Sequence, residues 1–469
     1  MGETFYFGGS GVHGSSMHPI VVVATLIAII AMITLPRKYA LSPALILVFL
    51  TPAPQLVLGG FHFTVVRLII LGGLVRLIRD AISRKGKVWS YGIQPIDTLL
   101  VALVVLQALA FSLRFKDIGA AIYQSGLLLD ACLFIVCRHL IRDYKDLIHI
   151  TKIMAVVAVL LAGTMTFEYM TRNNIFSYIS AVPIVPDLRN GAARAQGTFS
   201  NSITAGTFGA VLFPMFFWLW KDRHSRALGC LGMVASVIIS YTAQSSTGIS
   251  ALMGAVLGLG LWSVRHYMRQ MRWAIVVVIV VLTLSMKVPI WFLMGRIDIS
   301  GGHGWDRAEL IDVTVHHFSE WWLLGTQANA SWGADTWDAC NEFVFQATAG
   351  GIGCLILFVA LLSRGFGMLG RARRRASNYS REWFAWCFGA ALFANFVGFW
   401  GIDYFDQVRE WWYVFLAMIP AVYFCANAQP QVRERVVAKM WASPFVLDLG
   451  LSASSDSRGI PALEADNES

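Results

Sequence analysis

The chain has 469 residues, of which 57% are hydrophobic and only 14% charged. A soluble globular domain carries about 25% charged residues, so these proportions exclude a soluble fold and describe a multi-spanning membrane protein. The net charge of +9 does not indicate a nucleic-acid partner, because the basic residues stand between apolar segments, as topology signals rather than as a phosphate-binding stripe.

A membrane helix needs about 20 apolar residues. Such runs occur near 19–35, 41–58, 62–79, 96–113, 119–137, 148–169, 203–220, 227–243, 247–264, 273–293, 341–363, 384–401 and 411–428, with no cleavable leader expected before the first. The expected fold is an all-α polytopic membrane protein of about 12–14 transmembrane helices. Its count is open at the second run, which Pro43, Pro52 and Pro54 interrupt. Lys and Arg gather at Arg37–Lys38, Arg76–Lys87, Arg138–Lys152, Lys221–Arg226, Arg265–Arg272, Arg364–Arg381 and again from Arg433, after every second run. Basic loops stay cytoplasmic, so the N-terminus is expected outside and the C-terminus inside.

The organisation follows: an N-terminal bundle over 1–170, a first outer polar loop over 171–202, central helices over 203–293 and a large outer loop over 294–340. C-terminal helices over 341–430 and a partly disordered cytoplasmic tail over 431–469 complete it. The helical large loop is expected to cover an outward-facing cavity. Short inner loops without a nucleotide motif mean that chemistry on the outer side needs a substrate that brings its own activation.

In the first outer loop, Arg189 and Arg194 precede a new span whose first residues, Ser200, Asn201 and Ser202, are capping types. The fixed donor fork of Arg suits phosphate oxygens, and a helix start adds N–H groups aimed at an anion. The large loop concentrates Arg296, His303, Asp306, Arg307, Glu309, Asp312, His316, His317 and Glu320. Helical spacing puts Arg307, Leu310, Thr314 and His317 on one side and Asp306, Glu309, Val313 and His316 on the adjacent strip. That register would set Arg307 above a phosphate while His317 or Glu342 approached an acceptor hydroxyl. Trp305, Trp321, Trp322, Trp332 and Trp337 fit interface anchors or sugar-stacking surfaces. The His–carboxylate cluster lacks HExxH or another tight ligand spacing, so no metal is expected, and no other cofactor. Arg67 and Asp130 interrupt apolar runs and are expected to line a cavity or to pair. Glu168, Lys287 and Asp403 lie near span ends and are expected to snorkel or face water.

The segment RAQGTFSNSITAG at 194–206 resembles the Arg-x-x-Gly-x-Phe-x-Asn signature of the bacterial O-antigen ligase and O-antigen polymerase superfamily. SSTGISALMGAVLGLGLW from Ser245 is similar to that family's Ser-Arg-Gly segment, with Thr247 where Arg is common. WWLLGTQ and CNEFVFQATAGGIGCLILF resemble its loop turn and its His-Asn…Gly-Gly re-entry into the bilayer. The resemblance is strongest over 194–362. It implies a glycosyltransferase of the bacterial inner membrane that takes a polyprenyl-diphosphate-linked oligosaccharide on the periplasmic face. The glycan would pass to a glycan or lipid acceptor, with neither nucleotide nor metal.

The resemblance further implies that Arg194 holds the diphosphate, that Arg307 or Arg296 contributes, and that Asn341 is the family's Asn. Arg189 and Asn201 complete the expected substrate-binding set. Cys340 stands where the family's ligases often have His, which favours a polymerase with another base; Glu342, His317 and His303 are the candidates, in that order. Direct displacement would invert the anomeric carbon. Chain-length regulators or other envelope-assembly proteins are the expected partners. A ligase acting on a lipid acceptor, a secondary transporter or flippase, and a non-catalytic scaffold are the competing readings.

Overall fold

The computed structural model describes residues 17–52, 55–58, 61–83, 89–116, 118–180, 184–189, 191–297, 304–326, 328–333, 336 and 340–427. His303 and Trp337 lie outside the described residues. In chain order the helices are α1 (Pro19–Thr34), α2 (Arg37–Leu50), α3 (Val65–Ser83), α4 (Pro95–Phe115), α5 (Ile118–Leu140), α6 (Tyr144–Thr171), α7 (Ser202–Lys221) and α8 (Arg226–Thr242). They continue as α9 (Ser246–Gly260), α10 (Met268–Ser285), α11 (Leu293–Ile297), α12 (Gly304–His316), α13 (Phe318–Trp321), α14 (Glu342–Arg374), α15 (Tyr379–Gly398) and α16 (Asp406–Asn427). Two short antiparallel hairpins join them: β1 (Gln55–Leu58) with β2 (Phe61–Thr64), and β3 (Leu188–Arg189) with β4 (Ala192–Ala193).

The protein is therefore essentially all-α. Among the described residues, six helical runs are long and apolar enough to cross a membrane: Pro95–Phe115, Ala121–Leu140, Tyr144–Thr171, Ser202–Lys221, Ser246–Ser285 and Glu342–Arg374. α1 and α8 are apolar but shorter.

The second apolar run does not continue as one helix to residue 58. α2 stops at Leu50 because Pro52 forces Thr51 into extended backbone (φ −119°, ψ 127°), and the chain resumes as β1. The run Ser246–Ser285 doubles back. A 3-10 segment, Leu261–Tyr267, is broken at Val264 (φ −103°, ψ 16°). Beyond α10 the turn Ile290–Phe292 packs against α12, whose Arg307 reaches Ser246 and Thr247 at the start of α9. α10 itself buries no residue. A helix apolar all round and exposed all round is suited to lipid.

Basic residues from separate junctions meet at one end of the bundle. Arg37 binds Asp143, Asp146 and the Leu140 carbonyl, Arg76 binds the Met32 and Leu35 carbonyls, and Arg373 binds the Arg265 carbonyl. Arg138 and Asp97 form a buried pair there at 2.8 Å. The described residues of 184–201 and 304–341 lie at the opposite end, called the loop end below.

α14 is broken inside the bundle. Gly350 (φ −150°, ψ 20°) and Gly351 (φ 75°, ψ −171°) leave helical geometry, and Gly351 occupies a region open essentially only to glycine. The freed Thr348 carbonyl accepts the Arg114 guanidinium at 3.0 Å and Thr326 N–H at 2.7 Å. Ile352 N–H donates to the Trp322 carbonyl at 2.9 Å. The break thus holds the turn 322–326, satisfying backbone that lipid would leave bare. A Cβ on Gly351 would stand 2.5 Å from the Leu323 carbonyl oxygen. Gly351→Ala is expected to cost about 1–3 kcal/mol. The checks are thermal unfolding in nanodiscs and thiol labelling of a Cys placed at Leu323, which should become faster.

Candidate functional site

The first polar segment is built around α7. Gly197 takes φ 61°, which turns the chain, and its N–H and that of Gln196 donate to Glu168 Oε2 at 2.8 and 3.2 Å. Glu168 is therefore not a snorkelling residue; it is buried, because those two backbone donors compensate its removal from water. Phe199 packs on Phe208, which stacks on Phe49 of α2 at 4.9 Å. Asn201 caps α7 by accepting Thr204 N–H at 2.9 Å. Three of the four signature residues are thus occupied by folding. Asn201 serves as a cap, so its side-chain oxygen is already committed.

The fourth is Arg194. Its backbone N–H donates to the Asp187 carbonyl at 2.8 Å, completing the β3–β4 hairpin. Its guanidinium is 3.9 Å from the well-exposed Asp187 carboxylate, a weak surface pairing. Nε is buried and has no hydrogen-bond partner among the described residues. Burial lowers its pKa, Asp187 works against that shift, and the neighbouring charge of Arg189 adds to it. A guanidinium held partly out of water, with spare donors, favours a bound anion. Arg189 lies half-buried on β3.

The large segment reaches the bundle through α12. Leu310 and Thr314 are buried, Arg307 is half-buried, and Asp306, Glu309 and His316 are exposed, matching the two expected strips. Arg307 donates to Thr247 Oγ1 at 2.8 Å and to Ser246 Oγ at 3.5 Å. Thr247 donates in turn to the Gly401 carbonyl. Ala195 N–H donates to the Thr242 carbonyl at 3.0 Å. The residue after Arg194 and the Arg307 guanidinium therefore contact the same α8–α9 turn. Arg296 is exposed on α11, which packs on α12.

Asn341 and Glu342 sit where the α15–α16 link crosses the head of α14. Asn341 is fully buried and accepts Phe343 N–H at 2.9 Å and Val344 N–H at 3.3 Å, the geometry of a helix cap. Asn341→Ala is expected to cost about 1–2 kcal/mol of stability, with Asn341→Asp recovering most of it, measured by thermal unfolding. Glu342 accepts Tyr404 N–H on Oε2 at 2.6 Å and the Gln346 amide on Oε1 at 2.8 Å. Oε2 therefore ties the head of α14 to the 399–404 link, while Oε1 is held within α14 itself. Burial, with the Glu342 charge beside it, holds the Tyr404 phenol well above its ordinary pKa.

His317 directly follows the last residue of α12, the helix that carries Arg307. Its Nδ1–H donates to the Val313 carbonyl at 2.8 Å, leaving Nε2 as the basic nitrogen of the neutral ring. The ring stacks on Trp332 at 4.9 Å, and Trp332 donates to Glu320. Trp321 is buried, with Nε1–H donating to the Thr314 carbonyl, while Trp305 and Trp322 are exposed. Among the described residues, no three His, Cys, Asp or Glu side chains converge as metal ligands would.

A charged pocket also opens at the loop end, under the 196–200 segment. Arg67 binds Asp130 through Nε and Nη2 at 2.8 and 3.0 Å, and Arg409 reaches the same carboxylate at 3.2 Å. Arg67 and Asp130, singled out as interruptions of apolar runs, thus both pair and line a cavity of about 80 Å³. The sequence puts Arg409 with Asp403, Asp406 and Glu410 in the last outer loop, expected to close a site between spans; its Asp130 partner, 279 residues away, was not foreseen. A charged triplet, Asp406, Arg409 and Glu410, opening an apolar run was the available signal.

The chain matches no protein-family model and no curated protein.

Proposed function

We propose that the protein is a membrane glycosyltransferase that polymerises or transfers a polyprenyl-diphosphate-linked glycan on the periplasmic face of a bacterial inner membrane. In this reading 12–14 helices span the bilayer, the basic end is cytoplasmic, and the loop end is periplasmic. The observation that carries it is Arg194: within the signature-like segment its guanidinium is half-buried, its Nε has no partner among the described residues, and its nearest carboxylate is the exposed Asp187 at 3.9 Å. The diphosphate leaves readily once its growing charge is stabilised in a poorly screened place. Arg194 would bind it from one side of the α8–α9 turn. Arg307, bound to Thr247 at the position where the resembling family commonly has Arg, would contribute from the other. The acceptor hydroxyl then attacks the anomeric carbon from behind, with inversion.

Purified protein in nanodiscs, given a polyprenyl-diphosphate-linked repeat unit, is expected to produce a ladder of longer glycans. A verified donor that yields no product, or thiol labelling that finds the segment after Met294 on the cytoplasmic side, would end this reading.

A further inference from the structure

α10 is fastened at both ends and bare between them. At the basic end the Leu261–Tyr267 segment joins it to α9, with Trp262 edge-on to Trp383 and Trp386 and Arg265 bound to Glu382 at 3.1 Å. At the loop end the Ile290–Phe292 turn packs on α12, and Trp291 Nε1–H donates to Asp312 at 3.0 Å. α12 carries Arg307 back to Thr247 and Ser246 at the head of α9. Yet residues 272–281 are all exposed, over about three turns of helix. No face of that stretch is packed.

α9 has a bare side of its own. Its Gly248 lies against Gly206 of α7, and its Gly254 and Gly258 lie against Val397 and Ala390 of α15. What remains is a stripe of Ser250, Met253, Val256, Leu257 and Gly260, each exposed and spaced as one helix face. The stripe rises about 15 Å toward the Arg307–Thr247 contact. α10 leaves from the foot of α9, and its far end is tied to the helix that caps the head of α9. The side it runs along is therefore the one that α7 and α15 leave open. Two helices joined at both ends and unpacked between them bound an apolar slot.

The walls say what fits there. Membrane helices approach one another closely through Gly, Ala, Ser and Thr, and residues 275–282 read IVVVIVVL, with none of these. A helix from a second copy or another protein is a poor occupant, whereas a flexible hydrocarbon chain conforms to such a surface. The upper edge is cationic, because Arg307 rests there on two neutral hydroxyls. A long hydrocarbon below an anionic phosphate head matches both features.

Resting on the transferase reading, we propose that the slot between α9 and α10 holds the polyprenyl chain of the donor, entering sideways from the bilayer. Met253, Val256 and Leu257 form one wall and the Val-rich middle of α10 the other, with the diphosphate above at Arg307. The slot thereby selects a long isoprenoid over a short one.

The test uses full-length protein in nanodiscs and radiolabelled polyprenyl diphosphate. Photoreactive p-benzoylphenylalanine is placed at Val256, at Val277 or, as the control, at Ile27 on α1, side chains that are 53%, 57% and 60% exposed. Labelling at the first two is expected to exceed the control about tenfold, a preference that burial of about two methylenes supplies. Excess unlabelled polyprenyl diphosphate should abolish that excess, and added phosphatidylglycerol should not. In Val256→Trp, which fills the slot, the KM for a full-length donor should rise about tenfold relative to that for a donor truncated to two isoprene units. Equal labelling at all three positions would mean bulk lipid contact only. That result, or an unchanged KM ratio in Val256→Trp, overturns the slot and leaves the transferase reading standing if wild type still lengthens glycans. No product from wild type with a verified donor overturns the transferase reading, while the labelling still decides whether the slot takes the isoprenoid.

Discussion

Asp130→Asn is expected to be the most destabilising single substitution in the described bundle, lowering the thermal midpoint in nanodiscs by on the order of 10 °C. Asp130 is the carboxylate shared by Arg67 of α3 and Arg409 of α16, and the three side chains are 5%, 13% and 21% exposed. An amide in its place leaves two guanidiniums facing each other without that counter-charge. Breaking a buried ion pair by removing one partner costs about 3–5 kcal/mol, and here both arginines lose the same partner. Replacing all three together, as Arg67→Met, Asp130→Leu and Arg409→Met, is expected to recover only part of the loss, because the guanidiniums no longer face each other but the buried Glu410 loses both as neighbours. A midpoint for Asp130→Asn within about 2 °C of wild type, an interval worth roughly 1 kcal/mol or less, would show that the network does not hold α3, α5 and α16 together.

Arg194→Ala is expected to lower glycan transfer by about 10²–10³-fold, the usual cost of removing one donor from a developing oxyanion. Stability and insertion should be unchanged, since its guanidinium touches only the exposed Asp187 carboxylate, at 3.9 Å, among the described residues. Arg194→Lys should recover the charge but little of the rate, because an ammonium lacks the planar fork that meets two phosphate oxygens. Asp187→Ala should have little effect, because its carboxylate is 79% exposed and screened. Transfer by Arg194→Ala within twofold of wild type would remove the residue from the site.

Several helices could be read from composition alone. The apolar runs near 96–113, 148–169 and 203–220 correspond to α4, α6 and α7 within a few residues, because a lipid-embedded helix must satisfy its backbone internally and cover it with apolar side chains. The second run was legible as interrupted at Pro43, Pro52 and Pro54, but which proline ends the helix was not: α2 passes through Pro43 and stops at Leu50, where Pro52 holds Thr51 extended. The break at Gly350–Gly351 was equally hidden, since paired glycines are also ordinary packing residues in membrane helices.

At the site, local signals served only local roles. Asn201 was legible as a cap because capping acts within three residues. The fate of Glu342 was not, because the N–H that occupies its Oε2 belongs to Tyr404, 62 residues later. The same holds for Arg409 and Asp130.

What the sequence determined by itself is the helical, lipid-suited character of the chain and the separation of basic junctions from two long polar segments, since both follow from composition summed over windows of about 20 residues. Tertiary structure decided which polar groups are consumed by folding and which remain unsatisfied. That division depends on hydrogen bonds between residues far apart in the chain, and such pairings leave no periodic trace in the order of residues.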